Sequence, residues 1–160
     1  QAAAVDDILL VSGGYRTEVE AIAQTHGVPF VHNPQFATGE MLSSLKTAVR
    51  FLQTQQLSLA DAILVMLGDL PFLEPEILNQ VIEAYRNGRG RLIAPAYQGK
   101  RGHPVLIDAQ FFAELLALPA AGAPRDLIRN HPEALYLVEV GSDVILRDID
   151  TPEQYERWRP

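Results

Sequence analysis

The amino-acid sequence predicts a three-layer α/β fold built around a mostly parallel sheet. Short runs of β-branched and aliphatic residues alternate with longer segments in which apolar residues recur at helical spacing, and this alternation is typical of βαβ units. The run 62–67 is apolar at every position, as expected for a strand that helices cover on both faces. A length of 160 residues predicts one domain with a substantial core.

The predicted elements follow from these periodicities. Strands are predicted at residues 7–11, 28–32, 62–67, 92–96, 104–107, 135–140 and 144–149. Helices are predicted at residues 16–26, 41–52, 108–118 and 124–130, from Pro75 to a point before Gly88, and after Thr151. Gly27 is expected just past the end of its helix and Asp108 is expected to cap the start of another. The last helix has the clearest start, because Thr151, Pro152 and Gln154 form a capping box with proline at the first helical position.

The composition excludes several classes of function. The chain has no cysteine, which excludes thiolate zinc sites, iron–sulfur clusters, thiol catalysis and disulfide scaffolds. A formal charge of −7 argues against nonspecific nucleic-acid binding, which needs a lysine- and arginine-rich face. No apolar run approaches the roughly 20 residues of a membrane span, and no signal-peptide pattern is present. We therefore expect no membrane association and a cytoplasmic location.

Carboxylates follow two of the predicted strands, at the position where open parallel sheets bind ligands. Asp69 comes after the run 62–67, and Asp148 and Asp150 lie at the end of the run 144–149, where alternation places both on one face. The residues alone leave open an ordinary turn or a solvated strand end. Together, oxygen ligands from two strand ends suit Mg²⁺, which binds one or two carboxylates and completes its shell with water and phosphate oxygens.

A basic loop at residues 98–104 holds Lys100, Arg101, His103 and two glycines. Such a loop can offer positive charge and backbone N–H groups to an anion, or it can form a solvated hairpin.

A second loop, residues 33–44, precedes a predicted helix. Gly39 permits close backbone approach, and Ser43 and Ser44 fall in the first helical turn. Free N–H groups there can bind an anion, or the serines can simply serve the helix end.

The most specific signal is the order of six segments along the chain. They are residues 11–16 (Val-Ser-Gly-Gly-Tyr-Arg), 32–34 (His-Asn-Pro), 39–45 (Gly-Glu-Met-Leu-Ser-Ser-Leu), 67–72 (Leu-Gly-Asp-Leu-Pro-Phe), 101–104 (Arg-Gly-His-Pro) and 148–153 (Asp-Ile-Asp-Thr-Pro-Glu). This set resembles the MobA-like nucleotidyltransferases over nearly the whole chain, and it is most similar to their molybdenum cofactor cytidylyltransferase branch. The resemblance implies a Rossmann-like, GT-A-like fold.

The resemblance also implies roles for the matching residues. Asp69 and Asp150 would be the catalytic carboxylates and would bind the Mg²⁺ that bridges the nucleotide phosphates. The nucleotide-binding residues would be Asn33, Gly39, Ser43, Ser44 and Gly68. The acceptor would face Gly102, His103 and Pro104. We add Lys100 and Arg101 to that group because of their positive charge.

The implied reaction is transfer of a nucleotide, CMP from CTP, to a phosphorylated acceptor such as molybdopterin, with release of pyrophosphate. The proline-leucine-glycine type of sequence that the guanylyltransferase branch carries after the asparagine is absent, which favours CTP over GTP. One alternative keeps the reaction and changes the acceptor to a sugar or alcohol phosphate. Another is a non-catalytic module that binds a nucleotide or delivers a cofactor to a molybdoenzyme or chaperone partner.

The resemblance also predicts that part of the fold is missing. The family opens with a strand, a glycine-rich loop and a helix that this sequence does not contain. We therefore expect residues 1–160 to form a single nucleotidyltransferase-like domain that lacks its N-terminal strand, loop and helix. The absent strand would lie between the runs 7–11 and 62–67, so direct pairing of those two runs would contradict this expectation.

Overall fold

The computed structural model describes residues 3–54 and 60–158, in which strands and helices alternate. The strands are β1 (Leu10–Ser12), β2 (Phe30–His32), β3 (Ala62–Val65), β4 (Leu92–Tyr97), β5 (Lys100–Arg101), β6 (Val105–Asp108) and β7 (Leu135–Glu139). The helices are α1 (Arg16–Thr25), α2 (Glu40–Thr54), α3 (Pro75–Arg86), α4 (Phe112–Ala117), α5 (Pro124–Asn130) and α6 (Pro152–Trp158). None of these helices is long and apolar enough to cross a membrane.

The boundaries of α1, α5 and α6 follow the predictions closely. Helix α5 has the predicted bounds. Helix α6 begins with the predicted capping box, in which the Gln154 amide donates to Oγ1 of Thr151 and the Thr151 amide donates to Oε1 of Gln154, at 3.2 and 2.9 Å. Gly27 lies just past α1 with a φ of 66°, a left-handed conformation that glycine adopts without strain.

The chain divides into two compact units. Unit 1 consists of Gln1–Ala4, Ala62–Asp108 and Glu133–Pro160, and unit 2 consists of Val5–Asp61 and Ala109–Pro132. Each unit contains part of the predicted α/β fold.

Unit 1 contains a mixed sheet in the order β3-β6-β4-β5, with β7 paired to β4. Strands β3, β4 and β7 share one direction, as predicted, whereas β6 runs antiparallel to both β3 and β4. Helix α3 packs on this sheet through apolar residues at helical spacing, among them Val81 and Ala84, which contact Ile93 and Leu106.

Unit 2 contains the parallel pair of β1 and β2, whose register places Ser12 opposite His32. Helix α2 buries Leu42, Leu45 and Val49, which belong to the apolar stripe that its sequence predicts. Within residues 3–54 and 60–158, β1 and β3 belong to different sheets and do not pair. The pairing that would have contradicted a missing strand is therefore not observed, and the missing strand stays a prediction.

The predicted strand at residues 144–149 is wrong. This stretch begins as a 3₁₀ turn, Asp143–Leu146, and continues without strand pairing. Ile145 is 1 % exposed and packs with Ile77 and Val140, and Val144 packs against the same cluster, so apolar side chains anchor the segment to the core without strand pairing. Asp148 and Asp150 consequently do not share the face of a strand.

The prediction that Asp108 caps the start of a helix is wrong. It is the last residue of β6, and its buried carboxylate accepts hydrogen bonds from the Tyr85 hydroxyl at 2.9 Å and from Nη1 of Arg91 at 3.1 Å. Burial raises the pKa of Tyr85, and its hydrogen bond to Asp108 adds to the effect. The chain turns through the 3₁₀ segment Ala109–Phe111 before α4 begins. The carboxylate thus joins the end of β6 to α3 and to the residue that precedes β4, and it does not cap a helix.

Candidate active site

Two acidic segments of unit 1 lie side by side through a backbone hydrogen bond. The first acidic segment, residues 65–69, leaves the end of β3 and ends at Asp69; the second, residues 145–150, leads into α6 and ends at Asp150. The Ile149 amide donates to the carbonyl oxygen of Asp69 at 2.9 Å. This bond brings the backbone of Asp69 next to the residue that precedes Asp150.

The side chains of both predicted catalytic aspartates face solvent. Asp69 and Asp150 are exposed, and neither carboxylate makes a hydrogen bond or ion pair with the part of the chain that the structure describes. The Asp150 amide donates to Oε1 of Gln154 at 2.7 Å, which fixes its backbone at the start of α6. Among residues 3–54 and 60–158, no cluster of three or more His, Cys, Asp or Glu could hold a metal ion. A metal here would therefore depend on two carboxylates together with water and phosphate oxygens.

The Gly-His-Pro sequence at residues 102–104 lies beneath the surface, between the two acidic segments. Gly102 and Pro104 are buried, and a Cβ on Gly102 would collide with the carbonyl oxygen of Ile145. The His103 amide donates to that same oxygen at 3.2 Å.

The His103 side chain is half-buried. Its Nδ1 atom is buried without a hydrogen-bond partner in the described part of the chain. Burial lowers the pKa of His103, an effect that the Val65 carbonyl and the charge of Asp69 partly oppose, so the ring is neutral at neutral pH.

The basic loop forms a β-hairpin with a two-residue turn. Gln98 and Gly99 both have positive φ angles, 51° and 76°, as a tight hairpin turn requires. Arg101 pairs with Ala96 across the hairpin, and the Gln98 amide donates to Oε1 of Glu139 at 2.9 Å. The side chains of Lys100 and Arg101, which follow this turn, are exposed.

Unit 2 holds the predicted nucleotide-binding residues around a buried asparagine. Asn33 is fully buried, and its Nδ2 donates to the hydroxyls of Ser43 and Ser44 at 2.7 and 3.0 Å. Its Oδ1 accepts from the Gln35 amide at 3.0 Å. A Cβ on Gly39 would collide with the Ser43 side chain. The four predicted residues of this unit therefore form one connected group in which Asn33 acts as the internal link.

A cleft of about 420 Å³ opens beside Asn33 in the same unit. Its lining includes Gln35, Thr47, Arg50 and Phe51, so it combines an aromatic ring with polar and positively charged groups. Its size lies within the usual range of small-molecule sites.

A polar network at the carboxyl ends of β1 and β2 was not predicted from the sequence. The buried Ser12 hydroxyl donates to Oε1 of Glu20 at 2.6 Å and lies 3.2 Å from Nδ1 of His32. Since the Ser12 proton is directed at Glu20, His32 is the donor in the second bond. The Ser12 bond lowers the pKa of Glu20, and the neighbouring Arg16 guanidinium contributes in the same direction. Only the strand register, which sets Ser12 opposite His32, would have shown this pairing.

A second pair that was not predicted joins α4 to the end of α5. Nε2 of His131 lies 2.6 Å from Oε2 of Glu114, and the His131 ring packs against Phe111 with centroids 4.9 Å apart. These residues lie at helix ends rather than at the carboxyl ends of strands, so the pair serves the packing of the helices.

Comparison with known proteins identifies the family. The model of the MobA-like NTP transferase domain matches residues 1–135. This chain belongs to the MobA-like NTP transferase family. The resemblance stated from the six segments is thereby confirmed, and so is the expectation that the protein is a nucleotidyltransferase enzyme. No curated protein sequence matches the chain.

Solved structures confirm the Rossmann-like nucleotidyltransferase fold expected of a MobA-like chain. Rv0371c from Mycobacterium tuberculosis H37Rv is 26 % identical, with a TM-score of 0.75, over 97 % of this chain and 76 % of that one. A manganese complex of Rv0371c shows 24 % identity and a TM-score of 0.74 over 97 % and 78 % of the two chains. Molybdopterin-guanine dinucleotide biosynthesis protein A from Archaeoglobus fulgidus shows 16 % identity and a TM-score of 0.64 over 93 % and 75 %.

Proposed function

We propose that this MobA-like nucleotidyltransferase uses Mg²⁺ to transfer CMP from CTP to a phosphorylated acceptor such as molybdopterin, releasing pyrophosphate. The observation that carries the proposal is the hydrogen bond between Ile149 and Asp69, which joins the two acidic segments. The similarity of the sequence to the cytidylyltransferase branch favours CTP as the nucleotide and a pterin phosphate as the acceptor.

The donor set of the acidic segments fits a hard divalent cation. Asp69 and Asp150 provide two exposed carboxylates, and Mg²⁺ characteristically binds through one or two carboxylates plus substrate phosphates and water. The manganese complex of the related Rv0371c supports a divalent ion in this role. When bound, the ion would neutralise charge on the triphosphate and on the leaving pyrophosphate. The two aspartates would hold that ion, and Asp150 is kept in place by the cap of α6.

The nucleoside would bind to unit 2. Asn33 fixes the hydroxyls of Ser43 and Ser44 and the amide of Gln35, so it shapes the loop rather than presenting a free amide. The cleft beside Asn33 supports a base-binding role, because it offers an aromatic ring and hydrogen-bonding groups. In unit 1, Gly68 precedes Asp69 and has open space around it, which allows a phosphate to approach the backbone.

The acceptor phosphate would bind to the basic hairpin. Lys100 and Arg101 are exposed and offer two positive charges to an anion. A phosphate acceptor is already an anion, so attack on the α-phosphorus needs no general base, and catalysis reduces to positioning and charge neutralisation. The acceptor role of Gly102, His103 and Pro104 stays a prediction, because the first and last of these are buried.

Pyrophosphate release tests the proposed function. The protein is incubated with Mg²⁺, one nucleoside triphosphate and one acceptor, and CTP with molybdopterin is expected to give the fastest release. Faster release with GTP would identify GTP, rather than CTP, as the nucleotide substrate. Faster release with a sugar or alcohol phosphate would identify that compound, rather than molybdopterin, as the acceptor. If calorimetry detects nucleotide binding but no combination of nucleotide and acceptor gives pyrophosphate release, catalysis is contradicted. The protein would then be a module that binds a nucleotide or delivers a cofactor.

A further inference from the structure

We propose that Glu20 is a positioning residue for the nucleotide, which through Ser12 holds Asn33 and the loop that Asn33 begins. This Asn33 loop, residues 33–39, connects β2 to α2. The inference rests on the proposed function, because it concerns how unit 2 binds the nucleoside. It gives the polar network at the carboxyl ends of β1 and β2 a role in nucleotide affinity.

Ser12 connects α1 to the Asn33 loop. It lies at the end of β1 and is 1 % exposed. Its hydroxyl donates to Oε1 of Glu20 in α1 at 2.6 Å, and its carbonyl oxygen accepts a hydrogen bond from the Asn33 amide at 3.0 Å. Because Ser12 is bonded to α1 through its side chain and to the loop through its backbone, a shift of the hydroxyl also shifts the support of Asn33.

The Glu20 carboxylate and the Ser12 hydroxyl are each held by one further contact. Nε of Arg16, one turn earlier in α1, lies 3.1 and 3.2 Å from the two carboxylate oxygens of Glu20. Nδ1 of His32, which stands opposite Ser12 in the strand register, lies 3.2 Å from the Ser12 hydroxyl oxygen. The Glu20 side chain is 15 % exposed, so water has little access to replace the carboxylate as the acceptor for Ser12.

Asn33 extends the connection from Ser12 to the start of α2. Its side chain is fully buried, and Nδ2 donates to the hydroxyls of Ser43 and Ser44 in α2. Its Oδ1 accepts from the Gln35 amide within the loop. Because these bonds use the side chain of Asn33 while its amide is bound to Ser12, the position of Asn33 determines the positions of the loop and of the first turns of α2.

The Phe36 side chain provides a second contact between the end of β1 and the Asn33 loop. A Cβ on Gly13 would lie 3.2 Å from the Phe36 Cβ, and a Cβ on Gly14 would lie 3.4 Å from Cε2 of Phe36. The Phe36 amide donates to the Asn33 carbonyl at 3.3 Å. The loop therefore packs against the two residues that directly follow Ser12, so displacement of Ser12 also moves the surface under the loop.

The location of this network determines which kinetic constant it should affect. Glu20, Ser12 and Asn33 all belong to unit 2, where the nucleoside is proposed to bind, whereas Asp69 and Asp150 belong to unit 1. Loss of positioning should therefore raise the KM for the nucleotide and leave kcat unchanged. A general loss of stability would instead lower the fraction of active protein and hence the apparent kcat.

Steady-state pyrophosphate release by the full chain tests the proposal, with Mg²⁺, molybdopterin and CTP or whichever nucleotide the wild type uses fastest. Glu20→Ala should raise the KM for that nucleotide about tenfold, as the loss of a hydrogen bond to a charged group produces, with kcat unchanged. The dissociation constant of the nucleotide, measured by calorimetry, should rise by the same factor. Glu20→Gln keeps an oxygen that can accept from Ser12 and should stay close to wild type.

A double-mutant cycle shows whether Glu20 acts through Ser12. Ser12→Ala removes the hydroxyl and should raise the nucleotide KM by a similar factor. If both residues act through their shared hydrogen bond, the variant with Glu20→Ala and Ser12→Ala together should be no worse than either single variant. Effects that multiply would mean that Glu20 does not act through Ser12 and would overturn the proposal.

Glu114→Ala is the matched control. It removes a carboxylate that lies 2.6 Å from Nε2 of His131 in the same unit, in a contact between helices rather than with the Asn33 loop. It should lower the urea concentration at which the protein unfolds without changing the nucleotide KM. If Glu20→Ala does not fold, Glu20→Asp takes its place with the same expected rise in KM, because it keeps the charge but is one methylene group too short to reach Ser12.

The possible failures are distinguishable. If the wild type neither binds a nucleoside triphosphate nor releases pyrophosphate from one, the proposed function fails and this inference fails with it. If the wild type binds the nucleotide while Glu20→Ala leaves the KM and the dissociation constant unchanged, the positioning role alone is overturned. The positioning role is likewise overturned if Glu20→Gln is as defective as Glu20→Ala, or if Glu114→Ala raises the KM as much.

Discussion

The backbone amide of Ile149 donates a hydrogen bond to the carbonyl of Asp69 across 2.9 Å, so two acidic segments that lie far apart in the sequence meet in unit 1. Ile149→Pro removes this donor. We expect Mg²⁺ affinity, measured by calorimetry with CTP present, to fall about tenfold, a typical cost of losing an outer-shell contact. Ile149→Val keeps the amide and should bind as wild type does. Equal affinities for the two variants would contradict the structural role of this bond.

Gly68 provides a test that separates function from stability. A Cβ on Gly68 would meet no atom within 4 Å, and the same holds for Gly141, another glycine of unit 1. Both alanine variants should therefore unfold at the wild-type urea concentration. Only Gly68→Ala should weaken CTP binding in calorimetry, because the added methyl group occupies the space through which a phosphate approaches the backbone. Unchanged CTP affinity in Gly68→Ala would remove this glycine from the nucleotide site.

Asn33 should contribute strongly to the stability of unit 2. Its side chain makes hydrogen bonds with the hydroxyls of Ser43 and Ser44 and with the Gln35 amide. Asn33→Ala removes these hydrogen bonds from a buried site, which we expect to lower the free energy of unfolding by about 2 kcal/mol. Asn87→Ala, at an exposed position, should change it by less than about 0.5 kcal/mol. Urea denaturation followed by circular dichroism measures the free energy of unfolding of both variants. Equal effects would show that the hydrogen bonds of Asn33 do not stabilise unit 2.

Tyr85 should make stability depend on alkaline pH. Its pKa is raised above the ordinary value of 10.0, so the folded state disfavours the phenolate. The stabilisation by the bond to Asp108 is fully present below pH 10 and is lost as the pH rises through the raised pKa. The stability difference between wild type and Tyr85→Phe, measured by urea denaturation, should therefore shrink from pH 8 to pH 11. A constant difference across that range would contradict the raised pKa.

Local signals in the sequence predicted much of the fold. The capping box of Thr151 and Gln154 involves neighbouring residues only, and the structure reproduces it. The predicted strand at residues 144–149 failed because Val144, Ile145 and Leu146 form an apolar run that periodicity alone cannot assign. The burial of Ile145 in the core, not strand pairing, explains that run.

The candidate site was only partly accessible to sequence reasoning. Asp69 and Asp150 were proposed because each follows an apolar run, although the backbone bond that joins their segments depends on tertiary structure. The hydrogen bond from the His103 amide to the Ile145 carbonyl was not foreseen, since the two residues lie about 40 positions apart in the sequence. The network of Ser12 with His32 likewise required the strand register.

The central claim is that Asp69 and Asp150 hold the divalent ion of a nucleotidyl transfer. The most direct test is Mg²⁺-dependent pyrophosphate release from CTP and molybdopterin by Asp69→Asn and Asp150→Asn, each of which removes a charge without changing side-chain size. Asp7→Asn, at an exposed aspartate of unit 2, is the matched control. We predict a loss of at least about 100-fold in each site variant, in line with the several kcal/mol that a bound metal contributes, and wild-type turnover in the control. Unchanged Mg²⁺-dependent turnover in both site variants would contradict the claim.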